Sequence, residues 1–512
     1  MSMQGLVTSP HPLASRAGAE VLRRGGNAAE AAVAIGAVLA VVMPHFCGLG
    51  GDAVWLLADR EGMRATLLGI GQAAAAPGPP RSLPSRGPGS ALTTACVVDS
   101  WDHALRLGRR HWGGDREFAD LIAPAIALAR GGYVPGPAQD FWLDFRRAEW
   151  PRWPGFARIF AHRGSDGPLC QPELAEMLAL LARDGPRSFY RGRAAERIAQ
   201  GLAQAGSSLT AADLAATRCR QAPPLAMGYR GLTLLAPPPP TQGMSTLAIM
   251  GVLERFDLAG TPRGAARTHL LVEAVKQAFL DRDAIADPDF TARDMSVLLS
   301  PARLKAKAAA IRADRALAWP QPCRHGDTVF FAVSDAQGRS ASVLQSIYFD
   351  WGSGLVAGDT GILWQNRGAA FSADPAHPNR LEPGKRPFYT LNPGMALKDG
   401  APHLLYGTQG ADGQPQTLAV LLAGLIDDGL PPAAALALPR FLLGRTFSDG
   451  RESLKVEASL GAVAIAELAG LGHQVAELPA LSPIFGCAGA IRVGPAGGLA
   501  AHDPRGEGQG AG

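Results

Sequence analysis

Two apolar runs separated by one short break, Thr328 to Ser334 and Ser340 to Tyr348, constrain the fold of this chain more than any other feature. Each has the length and alternating or continuously apolar character of a strand, and Asp335-Ala336-Gln337-Gly338 between them ends in a glycine suited to a hairpin connection. The segments Gln416 to Leu425 and Leu460 to Leu471 carry helical periodicity and would cover such strands. The expectation is therefore an α+β chain with a layered αββα arrangement, and with Thr328 at the exposed start of a core strand.

Upstream the texture is richer in helix. Gly5 to Ser9 reads as extended, Pro10-His11-Pro12 breaks it, and Leu13 to Arg24 has apolar residues at helical spacing. Gly25-Gly26-Asn27 ends that helix and caps the next, whose apolar run from Ala28 to Met43 is too short and too Ala-rich for a membrane span and predicts a buried helix. Gly48-Leu49-Gly50-Gly51-Asp52 leads into a strand over Ala53 to Ala58, and its glycine spacing fits no nucleotide-binding loop. Residues 69–89, rich in Ala, Gly and Pro, predict a surface or extended passage. Helices follow over Ala119 to Arg130 and Pro172 to Arg183, with a helix start at Ser208 to Asp213. Two more span Met244 to Arg255 and His269 to Arg282, where His269, Glu273, Lys276 and Arg282 predict a salt-bridged scaffold face.

No Ser/Gly linker or charge block divides the 512 residues, so one large core of interlocked parts is expected. The formal charge of +4 is spread over 49 Lys and Arg and 45 Asp and Glu without a dense basic run, which argues against nucleic-acid binding. The first seven residues lack a cationic stretch followed by an apolar one, so a cytoplasmic chain with no membrane partner is expected. Cys47, Cys96, Cys170, Cys219, Cys323 and Cys487 are scattered and predict free thiols; His11, His45, His103, His269 and His325 form no ligand motif. Neither a metal nor a cofactor is called for.

The stretch His325-Gly326-Asp327-Thr328-Val329 suggests chemistry as well as structure. A threonine hydroxyl is a poor nucleophile at neutral pH, whereas a free α-amine, with a pKa of ~8, can take its proton locally. A cut between Asp327 and Thr328 would place both groups on one residue.

Around that stretch lie Gly25-Gly26-Asn27-Ala28, Gly48-Leu49-Gly50-Gly51, a Pro-rich segment before Thr241-Gln242-Gly243, Glu273-Ala274-Val275-Lys276-Gln277-Ala278-Phe279 and Asp281-Arg282. Further on come Gly352-Ser353-Gly354, Gly361-Ile362-Leu363, Asn366 and Lys385-Arg386-Pro387. In this order, over nearly the whole chain, they resemble the γ-glutamyltranspeptidase family of N-terminal nucleophile (Ntn) hydrolases. The resemblance implies an αββα four-layer sandwich made as one precursor, with self-cleavage between Asp327 and Thr328. It thus implies a large subunit, 1–327, entwined with a small subunit, 328–512, as a heterodimer whose further association is left open. It also implies Thr328 as nucleophile, Gly410 and Ala411 as backbone donors to the oxyanion, and Ser346, in place of the usual Thr, as support for the nucleophile's amine. Val329 stands where the family often has a small polar residue.

The chain departs from the family where a γ-glutamyl group would be held. The arginine that clamps its α-carboxylate falls near Gly71-Gln72, and the aspartate that clamps its α-amine falls at Ala370. Tyr348 replaces an asparagine, and Tyr389-Thr390 replace paired serines. Arg367 appears instead, and its fork of donors suits a carboxylate. A pocket with a cation and no anion predicts a small anionic amide, and Tyr348, Trp351 and Tyr389 would shrink it toward the shorter acids. This pattern resembles the oxamate amidohydrolase branch of purine-nitrogen catabolism, which hydrolyses oxamate to oxalate and ammonia. The short 371–385 segment, where relatives carry a longer lid, favours hydrolysis over transfer. Three alternatives stand beside this: a glutathione hydrolase or γ-glutamyltransferase with a rearranged clamp, a glutaryl-type acylase, and a silent protein that keeps only the fold.

Overall fold

The runs on either side of residue 335 form antiparallel strands, Val329–Ser334 and Ser340–Ser346, with Phe331 opposite Val343 and Val333 opposite Ala341. Alternate side chains enter different cores, Phe331, Val333 and Val343 packing under helices and Phe330, Ala332 and Leu344 packing between sheets. Covered on both faces, the strands have no need of a polar side, and this explains their nearly unbroken hydrophobicity. The computed structural model describes residues 5–78, 83–161, 167–319, 328–446, 450–494 and 497–512. His325, Asp327 and Cys323 therefore lie outside the described residues.

The hairpin sits in the middle of a seven-stranded sheet. From edge to edge its strands are Gln509–Ala511, Leu6–Ser9, Val329–Ser334, Ser340–Ser346, Asp52–Ala58, Arg64–Gly69 and Arg220–Ala222. A six-stranded sheet packs against it, in the order Gly497–His502, Ala488–Gly494, Ala401–Thr408, Gly394–Lys398, Leu232–Ala236 and Leu225–Tyr229. Phe330, Leu344, Leu397, Leu405 and Ile491 fill the space between them.

Helices close both outer faces. Helix Ala28–Val42 is buried along its whole length, and its start is fixed by a capping box in which Asn27 Oδ1 accepts from Glu30 N while Glu30 returns a carboxylate to Asn27 N. On the far side, helices Gly243–Leu253, Ala265–Phe279 and Gln414–Leu422 share a core with the six-stranded sheet. The result is the expected αββα sandwich, of α+β class. Among the described residues, no helix is long and apolar enough to cross a membrane, and Cys47, Cys96, Cys170, Cys219 and Cys487 are free.

Two sequence expectations change. Thr328 is buried, 1% exposed, because the strand it opens is interior to its sheet and has a core on each face. The start of the 69–89 passage is buried too: Ile70, Gly71, Ala73 and Ala74 run against residues 92–94, with Ala74 N bonded to Leu92 O and Thr94 N to Gln72 O. Small residues there mark close packing.

Candidate active site

The site begins where the central strand begins. Thr328 Oγ1 donates to Ser346 Oγ at 3.4 Å across the hairpin, and Ser346 Oγ in turn accepts from Tyr348 N at 2.8 Å. That bond shapes the exit of the strand, where Tyr348 takes φ +81°, a conformation unfavourable for a bulky side chain. Asn366 holds the same bend from outside, accepting from Phe349 N at 3.1 Å and donating to Ser85 O at 2.6 Å.

The bend carries the Tyr348 ring onto Arg367. The guanidinium carbon lies 4.0 Å from the Tyr348 ring centre and 4.0 Å from that of Tyr389, so the cation is sandwiched between two aromatic faces. Arg367 is fully buried. Among the described residues its one hydrogen bond is from Nη1 to Thr390 Oγ1 at 3.4 Å, and Nε and Nη2 have no acceptor. Burial pulls its pKa down to about 10, with Tyr348, Asp52 and Asp412 opposing the fall. A buried cation with two unused donors is costly unless a negative group completes it, and Arg367 remains charged at neutral pH. Trp351, expected beside it, packs instead on Phe156 and Phe160 in the helical core.

Asp52, which the sequence placed in a turn before a strand without a role in the site, belongs to it. It faces Ser346 in register across the neighbouring strand, and its Oδ1 accepts from Gly71 N at 3.0 Å and Cys96 N at 2.8 Å. Tyr389 OH donates to its Oδ2. Burial pushes the carboxyl up to about 7, against the pull of Arg367 and of its hydrogen bonds. The only hint in the sequence was an acid following a Gly-Gly pair.

The expected oxyanion donors sit on the turn after strand Ala401–Thr408. That strand crosses close over the hairpin because position 407 has no side chain: a Cβ there would fall 2.2 Å from the Phe330 ring. Beyond it Gly410 takes φ +114° and Ala411 φ +42°, and among the described residues neither amide has an acceptor. Successive amides on such a turn form an anion-binding nest. Gln242 braces it, donating to Ala411 O and Thr390 O at 2.7 Å each, and Arg282 pairs with Asp412. A cavity of about 1270 Å³ reaches Gly410 and Asp412, with Phe46, Trp142 and Leu443 also in its wall; Arg367 is not part of that wall.

The sequence pattern of the gamma-glutamyltranspeptidase family matches residues 14–512. The chain belongs to that family. Family relatives include the oxamate amidohydrolase proenzyme of Klebsiella pneumoniae, 42% identical over 100% of this chain and 99% of that one. The glutathione hydrolase-like YwrD proenzyme of Bacillus subtilis is 40% identical over 98% and 97%. Cephalosporin acylase from Bacillus halodurans superposes with a TM-score of 0.89 at 30% identity, over 100% of this chain and 96% of that one. The protein is thus an Ntn hydrolase acting on amide bonds.

At the positions where the resemblance would put a γ-glutamyl clamp, a Cβ at Gly71 would lie 1.6 Å from Thr94 O, so position 71 admits no side chain. Ala370 is buried and offers no charge.

The segment expected as a salt-bridged scaffold face does carry ion pairs, Lys276 with Glu273 and Arg282 with Asp412, and much of it is buried. His269, Glu273 and Lys276 are buried and meet His473 from a distant part of the chain. His269, Glu273 and His473 have ligand atoms within 4.8 Å of one another, a convergence that spacing did not disclose. Those atoms have protein partners: Lys276 Nζ lies 2.7 Å from Glu273 Oε1, and His269 Nδ1 lies 2.8 Å from His473 Nε2. Two groups also hold the 312–317 segment, Lys276 through Leu317 O at 2.6 Å and Glu273 through Leu317 N at 3.0 Å.

Proposed function

We propose that the protein is a self-processing N-terminal-threonine amidohydrolase for a small anionic amide, with oxamate the first candidate. The observation that carries this reading is Arg367, a buried, aromatic-sandwiched cation with unused donors, reached from Thr328 through Ser346 and Tyr348. The 42% identity to an oxamate amidohydrolase proenzyme supports the same acyl group.

In this reading the Thr328 hydroxyl attacks the Asp327 carbonyl, forms an ester, and loses it to water, so that residues 1–327 and 328–512 become two subunits. The freed α-amine then takes the Thr328 hydroxyl proton as its oxygen attacks the amide carbon. Gly410 and Ala411 N–H groups receive the oxyanion while Arg367 holds the substrate carboxylate, with Thr390 beside it. Collapse expels ammonia, which carries away the proton, and water splits the acyl ester to give oxalate and restore Thr328.

Ammonia release by processed protein from oxamate and from glutamine under identical conditions tests this. Release from oxamate is the expected result; release from glutamine alone would return the site to the γ-glutamyl class. The cavity favours a second reading, because about 1270 Å³ far exceeds what an ammonia leaving group requires. A glutaryl-type acylase with a bulky leaving amine would use that space, and hydrolysis of a glutaryl anilide faster than oxamate would establish it.

A further inference from the structure

Resting on that reading of Arg367, we propose that Asp52 sets the specificity of the site, competing with the substrate carboxylate for the same cation, so that anion binding draws a proton onto Asp52. The linkage between them is physical. Tyr389 touches both, its hydroxyl on Asp52 Oδ2 and its ring on the Arg367 guanidinium. With no anion bound, the carboxylates acting on the buried cation are Asp52 and Asp412, and Asp412 is already paired with Arg282. An arriving carboxylate puts two negative groups around one positive one in a site closed to water, and the arrangement relaxes when the weaker acid is neutralised.

Asp52 is suited to that role because its two oxygens do different work. Oδ1 is fixed by the Gly71 and Cys96 amides, which orient it whatever its charge. Oδ2 meets a hydroxyl that can donate to a carboxylate or turn to accept from a carboxylic acid. Among the other titratable neighbours, burial raises the Cys96 and Cys219 thiols and the Tyr190 phenol well above their usual values, while the Asp99 and Asp412 carboxylates are held in ion pairs with Arg187 and Arg282. Arg367 stays charged, and the carboxyl's position near 7 places the exchange at working pH. A neutral or cationic acyl group gains nothing from this exchange, so the pair selects for anions.

The test is the competitive inhibition constant of oxalate, with glutarate as a second anion, between pH 6 and 9 for the processed parent, Asp52→Asn and Arg367→Ala. Asparagine keeps the Oδ1 contacts and places an amide toward Tyr389. In the parent the constant should rise about tenfold per pH unit above the carboxyl's range, as one-proton linkage requires; in Asp52→Asn it should be flat. Persistence of the slope in Asp52→Asn overturns the proposal. Oxalate binding to the parent at pH 8 should also take up close to one proton, read from calorimetry in two buffers of different ionisation heat, and no uptake overturns the proposal without any variant. Unchanged inhibition in Arg367→Ala, or no binding of either anion, instead removes the carboxylate reading of Arg367 itself.

Discussion

Thr328, Arg367 and Asp52 each invite a single substitution with a distinct signature. Thr328→Ala should leave one uncut chain without activity, visible as a single intact mass. Arg367→Ala should still be processed, yet lose about 3 kcal/mol of recognition for an anionic amide, roughly a hundredfold in kcat/KM; unchanged kinetics would take Arg367 out of the site. Arg367→Lys should not restore it, since an ammonium cannot lie flat between the Tyr348 and Tyr389 rings. Asp52 also bears on stability. The unfolded carboxyl ionises near its ordinary ~3.9 and the folded one only near 7, so the unfolded chain binds fewer protons between these values and stability falls as pH rises through that window. The melting temperature of Asp52→Asn relative to the parent should therefore climb from pH 4 to 7 and then level.

At the scale of elements, the site depends on segments held at unusually close approach. Gly71→Ala would drive a Cβ into Thr94 O and shift the strand end that presents an amide to Asp52; a loss of 1–3 kcal/mol or more is expected by the usual cost of overpacking, read by denaturant titration. Helix Ala265–Phe279 works differently, through buried charge. Its Lys276 and Glu273 together grip residue 317, ten residues before the expected cut. Glu273→Ala should leave the Lys276 ammonium without its carboxylate and destabilise the fold by about 3 kcal/mol. The grip on the 312–319 segment should loosen, and limited proteolysis there would show it; equal resistance to protease in variant and parent would contradict the clamp. Burial holds His473 down at about 3, so His473 itself should not charge at mildly acidic pH.

Across the whole molecule, segments from before and after residue 328 pair with one another in both sheets: Leu6–Ser9 pairs with Val329–Ser334 and with Gln509–Ala511, and Leu232–Ala236 pairs with Gly394–Lys398. The two pieces of a processed chain would share cores and hydrogen-bond ladders throughout. They should migrate together in native gels and separate only in denaturant; dissociation under native conditions would be incompatible with this topology.

What the sequence determined was local pattern and order. The hairpin around Gly338, the capped buried helix after Asn27, the layered class, and the ordered motifs of the family could all be read from it, because each rests on periodicity or on residues near one another in the chain. Arg367 stood out as a lone cation where an acid was missing. Tertiary structure decided the rest. Whether Arg367 lay on a surface or between two rings depends on residues 348 and 389, and Asp52 reaches Tyr389 across 337 positions of sequence. The burial of Thr328, the removal of Trp351 to another core, and the meeting of His269 with His473 are likewise products of packing. Dielectric environment and close approach are properties of space rather than of spacing, so the charge and reach of these groups were fixed only when the sheets closed on each other.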